Sequence, residues 1–144
     1  MDDIDRHIVA LLYKDSRMPL KALADQIGLS SPSTSERLRR LEERGIIQTY
    51  TLEVSPQALG YQLQAIIRIR PLPGQSRAVQ KLIEGTPEFY ECDKVTGDDC
   101  YIVRLFVTSM EQLDTVVERI AAKAETNTVL VKSQPIKRRL PPLL

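Results

Sequence analysis

The sequence predicts an α+β protein in two parts. An N-terminal three-helix head of winged or helix-turn-helix type is expected over residues 1–47, and a C-terminal ferredoxin-like βαββαβ domain with a four-stranded antiparallel sheet over residues 61–136. Three observations carry this. Leu20–Ile47 has the spacing of two short helices broken at Gly28, Ile46–Val54 changes from helical to two-residue periodicity, and Tyr61–Ser133 runs through strand and helix patterns in the order βαββαβ.

In the head, Asp3 or Asp5 can cap a first helix whose apolar residues Ile4, Ile8, Leu11 and Leu12 recur at helical spacing. Lys14–Arg17 is a polar loop, and Pro19 opens a second helix in which Leu20, Leu23, Ala24 and Ile27 share one face. Gly28 can take positive φ where that helix stops. Ser30 and Ser31 are good N-cap residues, Pro32 sits in a first turn that has no use for its missing N–H, and the next helix should run from Ser31 to Arg44, ended by Gly45. Thr34, Leu38 and Leu41 form its inward stripe.

Between the two parts, residues 48–60 are expected to hold a linker strand and a turn. Gln48, Thr49 and Thr51 alternate there with Tyr50, Leu52 and Val54, and Ser55–Gly60 reads as one helical turn and a stop. A lone strand has unpaired edges, so it either returns onto its own domain or pairs with another chain.

Tyr61–Ile69 is a half-buried strand ended by Pro71-Leu72-Pro73-Gly74, and Ser76–Glu84 is a short helix closed by Gly85 and Pro87. Phe89–Val95 and Tyr101–Val107 are strands joined by a turn at Gly97-Asp98-Asp99. Ser109 caps a helix expected to reach Ala124, and Thr126–Ser133 is the last strand. With both helices on one face, the other face of the sheet must meet water or a second sheet. Apolar residues on both phases, Ile66 against Ile67 and Leu130 against Val131, favour a second sheet and hence dimerisation. Residues 137–144 form a basic, proline-containing tail, read first as solvated and second as a phosphate contact.

Of the 144 residues, 42% are apolar and 27% charged, a soluble globular composition. No apolar run approaches a membrane span and the acidic start is wrong for a signal peptide, so a cytoplasmic protein is expected. Twenty Lys and Arg balance nineteen Asp and Glu, a net charge of +1 with no global pull toward nucleic acid. Cys92 and Cys100 lack CxxC spacing and His7 stands alone, so neither a metal site nor a cofactor is expected. The chain has no histidine with a partnering carboxylate and nucleophile and no Gly-rich phosphate loop, which leaves catalysis without a candidate.

A capped helix with hydroxyls at its start and arginines along it can present small donors and acceptors to base edges in a major groove while its cations face phosphates. Ser31, Ser33, Thr34 and Arg37 are therefore placed at or near the groove, and Lys21, Arg39, Arg40 and Arg44 at phosphates of double-stranded DNA. The plainer account of the charge run is a solvated face, because Glu36, Glu42 and Glu43 lie at pairing distance along the helix.

Asp5–Tyr50, with the order ID…LL…D-R…LADQIGLS…ER…RLEERGII, resembles the N-terminal half of the leucine-responsive/asparagine regulator (Lrp/AsnC, feast/famine) family, and the similarity continues through the rest of the chain. The resemblance implies a bacterial or archaeal transcriptional regulator. It implies that the linker strand pairs across a dimer, that four dimers assemble into an octamer, and that a small effector, an amino acid, is held between dimers by the turn joining the second domain's second and third strands. The family's turn reads Gly-Asp-Tyr-Asp; here Gly97, Asp98 and Tyr101 match, whereas Asp99 and Cys100 replace the tyrosine and second aspartate. A glycine amide, the Asp98 and Asp99 carboxylates, Tyr101 and the hydroxyls of Thr126 and Thr128 would suit a zwitterion. A plain hairpin turn, and with it an architectural DNA-compacting protein that takes no effector, stays open beside this.

Overall fold

Asp2, one residue ahead of the expected caps, closes the start of α1 (Asp3–Lys14) by accepting from the Asp5 amide at 2.8 Å. The computed structural model describes residues 1–144 in two compact units, Met1–Glu53 with Ile136–Leu144, and Val54–Pro135.

In the first unit, α1 is followed by α2 (Leu20–Ile27) and α3 (Ser31–Glu43), with Gly28 left-handed at φ 71° where α2 ends. Gly45, also left-handed, lets the chain fold back so that the Ile46 amide donates to the Leu41 carbonyl. Ile8, Val9, Leu12, Leu23 and Leu41 form a core in which each helix contributes its apolar stripe. Leu140 and Leu143 pack against this cluster, and the Tyr13 hydroxyl donates to the Arg138 carbonyl at 2.9 Å. The segment read first as a solvated tail is therefore anchored through its leucines, with Lys137, Arg138 and Arg139 exposed around them.

Within a single protomer no strand forms over residues 48–60. The alternation is real, but a ladder needs a second strand to accept and donate its backbone bonds, and this segment has none within the chain. Tyr50 at 47%, Leu52 at 76% and Val54 at 50% exposure are left in solvent.

The second unit is built from β1 (Leu63–Pro71), α4 (Ser76–Glu84), β2 (Phe89–Lys94), β3 (Tyr101–Val107), α5 (Met110–Ala121) and β4 (Ala124–Leu130), with strand order β2-β3-β1-β4 and all pairs antiparallel. This is the ferredoxin-like arrangement. Ala65, Ile67, Ile69, Val103, Leu105 and Val107 face the two helices and bury Val79, Ile83, Leu113, Val116 and Ile120. α5 stops three residues before Ala124 because Ala124 pairs with Pro71 and the Lys123 carbonyl accepts from the Leu72 amide, so sheet pairing takes over before the helical pattern runs out. The opposite face carries Ile66, Ile102, Phe106 and Val129 beside Arg68, Arg70 and Arg104. A bulge at Tyr90, between the Phe89–Leu105 and Glu91–Arg104 pairs, turns its ring onto Phe106 at 4.6 Å.

Candidate nucleic-acid interface and effector site

The turn between α2 and α3 sets up the first site. Ser30, extended at φ −70°, ψ 154°, caps α3 by accepting from the Ser33 amide at 3.3 Å, and its hydroxyl donates to Ser33 Oγ at 2.9 Å. Pro32 lies in the first turn as expected. Ser33 and Ser35 are exposed at the helix start and Ser31 is half-buried.

Thr34 is corrected from the groove set. It is fully buried, and its hydroxyl donates back to the Ser30 carbonyl at 2.9 Å, so it belongs only to the inward stripe. Arg37 is likewise not free to read a base. Its Nη1 lies 2.7 Å from Asp2 Oδ2 and 2.8 Å from Asp5 Oδ1, and Asp5 is only 13% exposed, so the guanidinium clamps α3 to the start of α1. The Asp5 amide first and the Arg37 guanidinium second hold the Asp2 carboxyl below its ordinary range, and the two carboxylates in turn raise Arg37.

Arg39 pairs with Glu36 and Glu43, and Arg40 with Glu36 at 2.9 Å. These contacts lie on an exposed face, where such pairs are weak enough for a phosphate to displace the carboxylate. Hydrogen bonds from Arg39 and then Arg40 lower the Glu36 carboxyl. Lys21 and Arg44 are exposed and form no salt bridge. Ser33, Arg40 and Arg44 therefore share an outward stripe at helical spacing, flanked by Arg39 and served by Lys21 from α2. At the far end of the head, partial burial and Glu42, which accepts the Tyr50 hydroxyl at 2.8 Å, push Tyr50 up to about 12.

The second site centres on the β2–β3 turn. Gly97 has φ 105°, a conformation open to glycine at little strain, and it lets the Asp98 carbonyl accept from Arg70 Nε at 3.0 Å. Arg68 Nε lies 4.0 Å from Asp99 Oδ2, and Arg70 also reaches Glu125 at 3.4 Å. Two cations from β1 thus reach the turn, Arg68 at the Asp99 carboxylate and Arg70 at the Asp98 backbone carbonyl. In the sequence both arginines look like no more than the polar phase of a half-buried strand. Their relevance depends on β1 lying beside β3, which local pattern does not reveal.

The other three expected effector residues do not join this cluster within a protomer. Thr126 pairs with Ile69 and Thr128 with Ile67, so both share the helix-covered face, whereas Glu125 and Asn127 lie on the face of Arg68 and Arg70. Tyr101 is 3% exposed and its hydroxyl donates to Gln80 Oε1 of α4 at 3.1 Å. Tyr101 lines a shallow cleft of about 360 Å³ with Gln80, Thr86, Cys92 and Lys94 on the helix side of the β2 edge. In that cleft partial burial, then Asp93, pushes the Cys92 thiol up from its ordinary value. No group of three His, Cys, Asp or Glu is placed to hold a metal ion, and no helix is long and apolar enough to cross a membrane.

A three-helix head whose α2 and a capped α3 form a helix-turn-helix, joined to a ferredoxin-like unit with a charged turn, is the architecture of a helix-turn-helix protein with an α/β second domain. Residues 1–48 match the winged helix-turn-helix DNA-binding family model, and residues 64–141 match the Lrp/AsnC ligand binding domain. The transcriptional regulator LrpA of Mycobacterium tuberculosis is 36% identical over 129 residues, 89% of this chain and 86% of its own. The solved structure of Bacillus subtilis LrpC superimposes with a TM-score of 0.89 at 31% identity, covering 96% of this chain and 99% of that one. A feast or famine regulatory protein of M. tuberculosis, solved in complex with L-methionine, gives a TM-score of 0.87 at 33% identity over 97% of each chain. The chain belongs to the Lrp/AsnC family of helix-turn-helix transcriptional regulators.

Proposed function

We propose that this regulator binds double-stranded DNA sequence-specifically through paired heads, and that a zwitterionic amino acid bound between dimers in the second unit modulates it. The observation that carries the DNA reading is the outward stripe of α3, with Ser33, Arg40 and Arg44 exposed beyond a capped N-terminus and Lys21 on the preceding helix. Ser31 and Ser33 read base edges, while Lys21, Arg39, Arg40 and Arg44 meet phosphates. Arg37 holds the helix in place for them. Mobility shifts of Lys21→Ala and Arg44→Ala test this on specific and random duplexes. Each should weaken both duplexes alike and lower the slope of log affinity on log salt by about 0.9; wild-type binding in both variants overturns the assignment.

Two features support the dimer. Tyr50, Leu52 and Val54 alternate on an extended segment without a partner, and the open face of the sheet carries Ile66, Ile102, Phe106 and Val129. A second copy supplies both a partner strand and a second sheet, and further assembly of four dimers gives an octamer. DNA sites are then pseudo-palindromic, with half-sites spaced near multiples of roughly 10 bp. Sedimentation equilibrium that returned only the 16.3 kDa monomer at micromolar concentration would refute the dimer.

For the effector, Arg68 and Arg70 beside Asp98 and Asp99 supply both signs of charge, as an α-carboxylate and α-ammonium require. The relative from M. tuberculosis solved with L-methionine makes an amino acid the first class to try. Thr126, Thr128 and Tyr101 contribute only if they reach a site shared with a neighbouring copy. Calorimetric titration of the twenty amino acids, repeated with Asp98→Ala and Asp99→Tyr, decides the matter. Binding that survives both changes places the pocket elsewhere, and no binding to any of the twenty favours the architectural role.

A further inference from the structure

We infer that Lys137, Arg138 and Arg139 form a phosphate-contacting patch of the DNA-binding head, held there by Leu140, Leu143 and the Tyr13 hydroxyl. This rests on the DNA reading above and extends it to a segment distant in sequence from the helix-turn-helix.

Charge is the first observation. Residues 1–53 carry eight Lys and Arg against nine Asp and Glu, a formal side-chain charge of −1, which is an unfavourable start for binding a polyanion. Three of the eight cations, Arg37, Arg39 and Arg40, are already engaged by carboxylates, and Arg6 pairs with Asp3. Ile136–Leu144 adds three cations and no acid, which takes the unit to +2. All three are exposed and none forms a salt bridge, so the segment nearly doubles the head's supply of free cations, otherwise Lys14, Arg17, Lys21 and Arg44.

Placement is the second. Leu140 and Leu143 sit against the head's own core, and the Tyr13 hydroxyl fixes the Arg138 carbonyl at 2.9 Å in the last turn of α1. That is the end of α1 from which the chain passes through Arg17 into the first turn of α2 with Lys21. In a helix-turn-helix the first helix of the motif crosses the DNA backbone. The trio is thus fastened to the end of α1 that leads into α2, the helix whose Lys21 the DNA reading above assigns to phosphate. An anchored patch contributes without the ordering entropy that a loose basic tail must overcome.

The test is the full chain with Lys137→Gln, Arg138→Gln and Arg139→Gln combined, the leucines left intact. Affinity for one specific and one random duplex is measured from 50 to 200 mM salt, beside a thermal melt and sedimentation. With all three phosphates contacted, the slope of log affinity on log salt falls by about 2.7, so that wild type loses about 40-fold more affinity than the variant across that range. The loss is the same for both duplexes, while melting and oligomeric state are unchanged. An unchanged slope overturns the proposal and leaves the segment a structural strap. A wild type that binds neither duplex overturns the DNA reading itself, and the two failures are distinguished by the wild-type titration alone. A second variant, Leu140→Ser with Leu143→Ser, keeps the charges and frees the segment. Its random-duplex affinity should fall several-fold with the slope retained, and affinity equal to wild type shows that anchoring contributes nothing.

Discussion

Leu41→Ala tests whether the head stands on its own small core. Leu41 is 1% exposed and closes a cluster of five buried residues with Ile8, Val9, Leu12 and Leu23. Truncating a leucine at such a site costs about 2–5 kcal/mol, combining lost transfer energy with a cavity that relaxes only in part. A unit of this size has roughly 3–9 kcal/mol of stability at typical values per residue, so the substitution removes a large share of it. The second unit buries its own, separate cluster around Ile67, Leu105 and Val116 and should not respond. Amide hydrogen exchange reads both at once. Amides of α1–α3 should exchange about 30- to 4,000-fold faster, the same energy expressed as an equilibrium constant, while those of β1, β3 and α5 stay as they were. Equal acceleration in both units would refute the idea of separate cores, and no acceleration in α1–α3 would refute the packing assigned to Leu41.

Other outcomes follow from the same geometry. Ser30→Ala removes the α3 cap and should lower head stability by about 0.5–2 kcal/mol in urea titrations, with DNA binding weakened in proportion to the helix lost. Arg37→Ala should destabilise the head yet leave the ratio of specific to random DNA affinity unchanged, because the guanidinium is engaged with Asp2 and Asp5; a changed ratio in mobility shifts would restore it to the groove. The depressed carboxyls of Asp2 and Glu36 contribute stability that is present above their ordinary values of 3.8 and 4.5 and lost as pH falls through the lower folded values. Head exchange protection should therefore be flat, as far as these groups matter, from pH 6 to about pH 5 and decline below about pH 4, and Asp2→Asn should flatten part of that decline.

What could be read from the sequence was local. Gly28 and Gly45 end their helices in the left-handed region, Pro32 opens α3, and the six elements of the second unit follow in the expected order, because spacing and turn chemistry act over a few residues. What was missed depended on distant partners. Arg37 looks like any solvated arginine until Asp2 and Asp5, on another helix, are seen beside it. Arg68 and Arg70 gain meaning only from a strand order that brings β1 next to β3. The hydroxyls of Thr126 and Thr128 are visible in the sequence, but the strand phase that turns them toward the helices comes from their pairing with Ile69 and Ile67. Thr34 fits both an inward stripe and a helix start, and burial decided between them. The alternation over Gln48–Val54 is a strand pattern without a strand, since half of any ladder lies outside the segment.

The chain leaves the first unit after Glu53 and returns to it at Ile136, so the second unit is an insertion within the first. Until Val54–Pro135 has folded, joining Leu140 and Leu143 to the head means closing a long flexible loop. Once it has folded, the two ends are carried by a rigid body and that entropic cost largely vanishes. Closing the head with its last piece therefore costs least once the other unit is built. Whatever rigidifies the inserted unit narrows the distances over which the returning segment must search.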